Sequence, residues 1–241
     1  MSSQAWFITG ANRGIGLELA KLAASNGHEV FATSRNPSKS TELNALAASN
    51  PKVHVVKLES TSAADAAAAA KFVEQTTGGL DVVVANAGIA SNFEKSESLD
   101  IAALEEHLRV NTIGPVIIFQ ALYPLLLKRQ TRKFVPVSTA GGSIGVMFPP
   151  PLTAYGSSKA ALNYITKSIH KEHSEEGLIA FPIHPGMVDT DMGKGAAALF
   201  GMETMPMSAS QSAEAVYNVV DTATAEQGGK FLSYDGTEIP W

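Results

Sequence analysis

Ala5-Trp6-Phe7-Ile8-Thr9-Gly10-Ala11-Asn12-Arg13-Gly14-Ile15-Gly16 is the stretch on which the fold of this chain turns. Its first four residues are apolar and read as a buried strand. Three glycines follow in a tight turn, and helical periodicity runs from about residue 16 to 26. Glycine adopts backbone angles that other residues avoid, and without a Cβ it lets a ligand approach the main chain. A helix that opens directly after such a turn offers unpaired N–H groups and the positive end of its dipole, which suit a pyrophosphate. The spacing is G-x-x-x-G-x-G, not the G-x-G-x-x-G of the best-known fingerprint. Glycines alone are explained by a plain turn. Strand, loop and helix in this order favour dinucleotide binding through Gly10, Asn12, Arg13, Gly14, Ile15 and Gly16.

The same alternation continues outward. Apolar runs at 29–33, 53–56, 80–84, 134–137, 178–181 and 230–232 read as further strands. Helical patterns fill 43–48, 63–73, 101–129, 152–173 and 210–225. Apolar strands that alternate with helices imply a parallel sheet covered on both faces. Crossovers of one hand then leave a doubly wound sheet that binds ligands beyond the carboxyl ends of its strands. The expectation is a single α/β domain over residues 1–241, a Rossmann-type sheet of about seven strands with helices on both faces.

The 241 residues carry a net charge of -5 without a clustered basic run, which argues against a nucleic-acid or anionic-membrane partner. With no cysteine, disulfides, thiol catalysis and zinc-thiolate sites are excluded. No apolar run is long enough for a bilayer, and strand-like residues begin at Ala5, leaving no room for a targeting peptide. These features read as a soluble, cytoplasmic protein.

The second strand ends Ala32-Thr33-Ser34-Arg35. NAD asks for an acid there to hold the ribose 2′-hydroxyl, whereas an arginine suits a 2′-phosphate. Arg35, with Arg13 at the same end, therefore favours NADPH/NADP+. Farther along, Tyr155-Gly156-Ser157-Ser158-Lys159 places a phenol and an ammonium four apart on one helical face. A fixed cation beside a tyrosine lowers its pKa and makes it a tuned general acid. Alone, the pair is a weak signal, because a Tyr and a Lys four apart are common on solvated helix faces.

Taken with the remaining motifs, the chain resembles the short-chain dehydrogenase/reductase family in its compact form, over essentially its whole length. The likeness rests on the loop from Thr9 to Gly16, Asn86-Ala87-Gly88 after strand four, and Asn111 within Val110-Asn111-Thr112-Ile113-Gly114. Val137-Ser138-Thr139, Tyr155 with Lys159, and Pro185-Gly186-Met187-Val188-Asp189-Thr190 complete it. The ending, Tyr234 to Trp241, further resembles small fungal ketoreductases of the norsolorinic acid ketoreductase and C-factor, carbonyl reductase-like branch. The resemblance implies a strand order of 3-2-1-4-5-6-7 and a role for each motif. Tyr155 would protonate the carbonyl oxygen, Lys159 would lower the tyrosine pKa and hold the nicotinamide ribose, and Asn111 would hold a relay water. Thr190 and the Val188 backbone would orient the carboxamide, with Pro185 and Gly186 as the cofactor-binding turn before them, Asn86, Ala87 and Gly88 would line the adenosine ribose, and Ile15 would meet the pyrophosphate.

Two positions depart from the family pattern. Its catalytic serine is the second of a serine pair. Here that place holds Thr139, with Ser138 as rival. Leu58-Glu59 stands where an adenine-contacting aspartate is common, so Glu59 inherits that contact. Five of the seven methionines fall between Met187 and Met207, with Phe200 among them. Methionine adapts to irregular apolar shapes. Residues 187–208 therefore read as a lid over an apolar carbonyl substrate, aromatic ones included, with Met187, Met192, Met147 and Phe148 facing it and Pro-rich residues 148–151 shaping the mouth. His184 is a further candidate for touching substrate, and no histidine spacing suggests a metal. The expected activity is NADPH-dependent reduction of a small-molecule ketone or aldehyde. A cofactor-sensing module is the alternative, and a sugar-nucleotide epimerase is disfavoured by length. Family members form dimers or tetramers through the helices of Asn111 and Tyr155, and some are monomers.

Overall fold

The computed structural model describes residues 3–147 and 152–241. Phe148 and the Pro-rich mouth expected at 148–151 lie outside the described residues. In chain order the elements are β1 (Ala5–Ile8), α1 (Gly14–Ser25), β2 (Glu29–Ser34), α2 (Thr41–Ser49), β3 (Val53–Lys57), α3 (Ala63–Thr77) and β4 (Val82–Ala85). There follow α4 (Ile101–His107), α5 (Gly114–Leu126), β5 (Lys133–Pro136), α6 (Thr153–His173), β6 (Ile179–Ala180) and β7 (Ile183–His184). The chain ends through β8 (Val188–Asp189), α7 (Asp191–Ala197), β9 (Met207–Ser208), α8 (Ala209–Thr222) and β10 (Leu232–Ser233). No described helix is long and apolar enough to cross a membrane.

Side chains of a strand alternate between faces, and β1 uses both. Trp6 and Ile8 enter a core shared with α1 and α8, through Leu17, Ala20 and Val216. Ala5 and Phe7 enter the opposite core, with Val73 of α3 and Ile118 and Leu122 of α5. Full burial of one such Ile or Phe contributes about 1.5–3 kcal/mol. Two cores of this kind hold the sheet between its helix layers and leave the strand ends free to carry polar groups.

The sheet has six parallel strands in the order β3-β2-β1-β4-β5-β6, the doubly wound arrangement expected from the alternation. The sixth strand, expected at 178–181, forms as β6, and the far edge differs in that a further short strand, β7, follows it past Pro182. Phe181 N–H still reaches Phe134 O (3.3 Å), but Pro182 has no N–H to donate. Pairing resumes one step on: Ser138 N–H donates to Ile183 O (2.7 Å), and β7 pairs in parallel with β10. β10 thus takes the outermost place expected of a seventh strand, in a short ribbon of its own.

The helix expected over 101–129 is also interrupted. Residues Leu108–Ile113 form a π-helical turn between α4 and α5. An extra residue in a helical turn is often found at functional sites, and this one carries Asn111.

Candidate active site

The glycine loop is built as a cradle. Gly10 (φ +66°) and Gly14 (φ +60°) occupy the left-handed region. A Cβ at Gly10 would stand 3.0 Å from Ala87 Cα, and one at Gly16 only 2.5 Å from Asn86 Nδ2. Asn86 Nδ2 donates to Thr9 O (2.9 Å) and Gly10 O (3.3 Å), while Ala87 N–H donates to Thr9 Oγ1 (2.9 Å). Asn86 and Ala87 therefore brace the loop from beneath. No side chain caps the start of α1. Its first N–H groups stand beside a cleft of about 620 Å³, lined by Gly10, Asn12, Arg13, Gly14, Ile15, Arg35, Glu59, Asn86, Ala87 and Gly88. An uncapped helix start behind a glycine cradle fits a pyrophosphate.

Arg35 lines this cleft where β2 ends, with Asn36, Ser40 and Lys39. Lys39 is missed by the sequence reading, because only the short turn at Pro37–Lys39 brings it back beside Arg35. Arg13 lines the same cleft, and its guanidinium pairs with Asp191 of α7.

Beyond β5 the chain docks closely on α6. A Cβ at Gly156 would meet Gly141 O at 2.7 Å, and one at Gly142 would meet Lys159 Cβ at 2.8 Å. This approach carries Tyr155 and Lys159 onto Ser138 and Thr139. The two hydroxyls then part company. Ser138 is buried and donates to Asn163 Oδ1 (2.6 Å), whereas Thr139 Oγ1 accepts from Gly141 N–H (3.2 Å) and stands close enough to the Tyr155 phenol to act on it. Asn163 is a second residue missed by the sequence reading. Its signal was available, since Tyr155, Lys159 and Asn163 recur every four residues on one helical face.

Asn111 is fully buried. Its Nδ2 donates to Ile89 O (2.9 Å) and Ser158 Oγ (3.0 Å), and its Oδ1 accepts from Ile89 N–H (2.8 Å). These bonds, with Thr112 Oγ1 donating to Ser158 O (2.7 Å), fasten the π-helical turn to α6. Gly88 keeps a gap open nearby: its Cβ would lie 3.0 Å from Asn111 Oδ1 and 3.5 Å from Lys159 Nζ.

The electrostatics differ from the expected tuning. Lys159 Nζ donates to Val137 O (2.8 Å) and lies 6.0 Å from the Tyr155 ring centre. Burial pushes the Tyr155 phenol up to about 12, opposed by the nearby Thr139 hydroxyl, and no lowering by Lys159 enters. The residue is only half-buried, so water in the cleft softens that push. The phenol is thus kept loaded with its proton, not poised to lose it. Burial lowers the Lys159 ammonium to about 8.

A second, apolar pocket of about 200 Å³ adjoins the cleft. Met187, Met192, Met205 and Phe200 line it, with Phe93, Leu152, Thr139, Tyr155 and His184. Met147 does not: it is 73% exposed, with φ +41°, on the surface before residue 148. Among the described residues lining the pocket there is no Asp, Glu, Lys or Arg. Burial holds His184 down at about 4, so it adds no charge at neutral pH. Gly186 and Val188 line this pocket, whereas Pro185 and Thr190 line both spaces, as do Ile15 and Tyr155. Thr190 also accepts at Oγ1 from Gly193 N–H (3.1 Å) and so starts α7. The two ends of the segment expected as a lid, 187–208, are joined by β8 pairing with β9.

The profile of the short chain dehydrogenase family matches residues 4–198. An uncharacterized oxidoreductase of Schizosaccharomyces pombe is 38% identical over 100% of this chain and 99% of its own. The short-chain dehydrogenase srdF of Neurospora crassa is 37% identical, over 98% of this chain and 96% of its own. Among solved structures, the carbonyl reductase Sniffer of D. melanogaster superposes with a TM-score of 0.92 at 28% identity, covering 100% of both chains. An NADPH-bound carbonyl reductase from chicken fatty liver does so with a TM-score of 0.91 at 31% identity, over 100% of this chain and 95% of that one. The chain belongs to the short-chain dehydrogenase family of oxidoreductases.

Proposed function

We propose that this short-chain dehydrogenase is an NADPH-dependent carbonyl reductase that converts an apolar, uncharged ketone or aldehyde to its alcohol. The observation that carries the reading is the position of Tyr155. It lines both the cofactor-sized cleft and the apolar pocket, and its phenol keeps its proton at neutral pH. NADPH, when bound, supplies the hydride.

A carbonyl oxygen in the pocket meets two hydroxyls, Thr139 Oγ1 and Tyr155 Oη. Thr139 orients it, and Tyr155 donates the proton that the oxygen needs as the carbonyl carbon is reduced. Ser138 stays with Asn163 and positions the strand end. Lys159 holds the ribose side of the cofactor and returns a proton to the tyrosine, replenished through the gap that Gly88 leaves beside Asn111. Arg35, with Lys39, receives the 2′-phosphate, as an arginine fork suits a phosphate. Glu59 lies at the adenine end and Met187, Met192 and Phe200 enclose the substrate. The two solved carbonyl reductases named above, one of them NADPH-bound, support the same choice.

Tyr155→Phe tests the reading. It removes the proton donor and nothing else from the pocket wall. NADPH binding should stay within about twofold, and turnover of an aryl ketone should fall by about 10²–10⁴-fold. Undiminished turnover in Tyr155→Phe would overturn the assignment.

A further inference from the structure

Among the described residues, Ser138, Thr139, Tyr155, His184 and Thr190 are those that bring a polar side chain to the wall of the apolar pocket. Four of them are accounted for. Ser138 donates to Asn163, and Thr190 Oγ1 accepts from Gly193 N–H. Thr139 and Tyr155 face the reacting carbonyl. His184 is left over, and its Nδ1 is buried with no hydrogen-bond partner among the described residues. The carboxylate whose charge reaches it does not answer it, because Asp235 Oδ1 accepts from the N–H and the hydroxyl of Thr237 (3.1 and 2.6 Å). The other buried atom without a partner, Asp189 Oδ1, belongs to a residue that lines the cofactor cleft and not the pocket. A neutral imidazole carries one N–H and one acceptor nitrogen. Buried N–H groups are rarely left unpaired, so the proton belongs on Nε2, and the ring's donor is Nε2–H. The backbone that carries the ring is held on both sides: His184 stands opposite Ser233 where β7 pairs with β10, and Ser212 Oγ donates to Pro185 O (2.7 Å).

We propose that His184 is a specificity-determining residue: its imidazole donates to a second, uncharged oxygen of the substrate, so that the pocket selects apolar carbonyl compounds carrying a hydroxyl, ether or further carbonyl oxygen away from the reacting one. The inference rests on the carbonyl-reductase reading above. An apolar wall separates hydrocarbon shapes only weakly, whereas a wall with one polar group rejects analogues that leave that group unpaired. A ring kept neutral by its burial suits an uncharged partner better than an anion. The proton transfer from Tyr155 does not pass through His184, so its removal changes the choice of substrate and not the chemistry.

The test uses aryl ketones in isosteric pairs, hydroxyl against methyl and methoxy against ethyl, at each ring position of acetophenone and of acetonaphthone. kcat/KM with NADPH is measured for the native protein, His184→Phe and His184→Gln. The ratio within each pair is then compared between proteins, which cancels the intrinsic reactivity of the ketones. In at least one pair the preference for the oxygen-bearing member should fall by about tenfold or more in His184→Phe, the range for one buried polar group left unpaired. His184→Gln, which keeps an N–H donor, should retain part of that preference. NADPH affinity should stay within about twofold in both variants. The melting midpoint of His184→Phe should not fall, because no native hydrogen bond of Nδ1 is removed. Ratios unchanged in His184→Phe for every pair, whether overall activity holds or drops, would overturn the inference and leave the reductase reading in place. No turnover of any of these ketones by the native protein would overturn the reductase reading, and the inference with it.

Discussion

The two ends of the central sheet bury polar groups in comparable number and use them differently. At the amino ends each such group among the described residues is answered. Asp81, just before β4, accepts from Ala5 N–H (2.9 Å) and so ties β4 to β1. Lys133, the first residue of β5, donates to Val220 O (2.8 Å) and Asp221 O (2.7 Å) at the end of α8. His28 accepts from Gln4 N–H at Nδ1 (3.1 Å), which leaves Nε2–H to bond Tyr217 Oη (2.8 Å), with Trp6 stacked alongside. At the carboxyl ends Ser138 and Asn111 are answered as well, but other groups face open cavities. Tyr155 and Thr139 look into a pocket, Lys159 Nζ donates to one carbonyl, and His184 Nδ1 and Asp189 Oδ1 are buried without a hydrogen-bond partner among the described residues. Burial with full pairing fixes a fold. Burial with incomplete pairing beside a cavity leaves groups able to act on a ligand.

The Tyr155→Phe variant described above is the largest expected effect, and it should leave the melting midpoint near the native one. The next separates two neighbours at the same strand end. Thr139→Ala should lower turnover by about tenfold or more with little loss of stability, because its hydroxyl faces the carbonyl. Ser138→Ala should act in reverse, costing about 1 kcal/mol of stability through Asn163 and less in turnover. A larger loss of turnover at Ser138 would reverse the assignment, and steady-state kinetics with thermal melts read both. At the other end of the sheet, Lys133→Met strands two helix-end carbonyls and should cost about 1–3 kcal/mol, or several degrees of melting midpoint. Turnover at a permissive temperature should hold; a selective loss of turnover would break the contrast between the ends.

Titration gives the smallest and most graded effects. Reduction should decline as pH rises through about 8, where Lys159 loses its charge, while Tyr155 remains protonated to about 12. A pH–rate profile flat across that window would contradict the role given to Lys159. Acid should weaken the fold from the opposite end. Burial holds His28 below its ordinary value, so the folded state refuses a proton that the unfolded chain accepts near pH 6.5. The unfolded state then binds more protons, and stability is lost as pH falls through that range, by at most about 1.4 kcal/mol per pH unit. Denaturant midpoints measured between pH 7 and 5 check it, with His28→Gln expected to shallow the slope.

Local patterns carried most of the fold and much of the site. The loop from Gly10 to Gly16, the four-residue step from Tyr155 to Lys159 and the alternation of strands and helices are short-range signals, and each stands where it was expected. What the sequence did not disclose depends on tertiary placement. The π-helical turn at Asn111 forms because Ile89 and Ser158 hold that side chain from two other elements. Lys39 joins Arg35 only through the turn between them, and Arg13 meets Asp191 from 178 positions away. The direction of the Tyr155 shift depends on how deeply the phenol is enclosed and on where the Lys159 ammonium points, and neither is written in the spacing. The end of the sixth strand before Pro182 was legible, since a residue without an N–H cannot continue a ladder.

The most direct test is oxidation of NADPH, followed by absorbance, against uncharged ketones and aldehydes graded from small aliphatic to polycyclic aromatic, with NADH in parallel. The account predicts turnover of apolar carbonyls with NADPH, much less with NADH, and formation of the matching alcohol. Tight NADPH binding with no alcohol from any member of the series would contradict it.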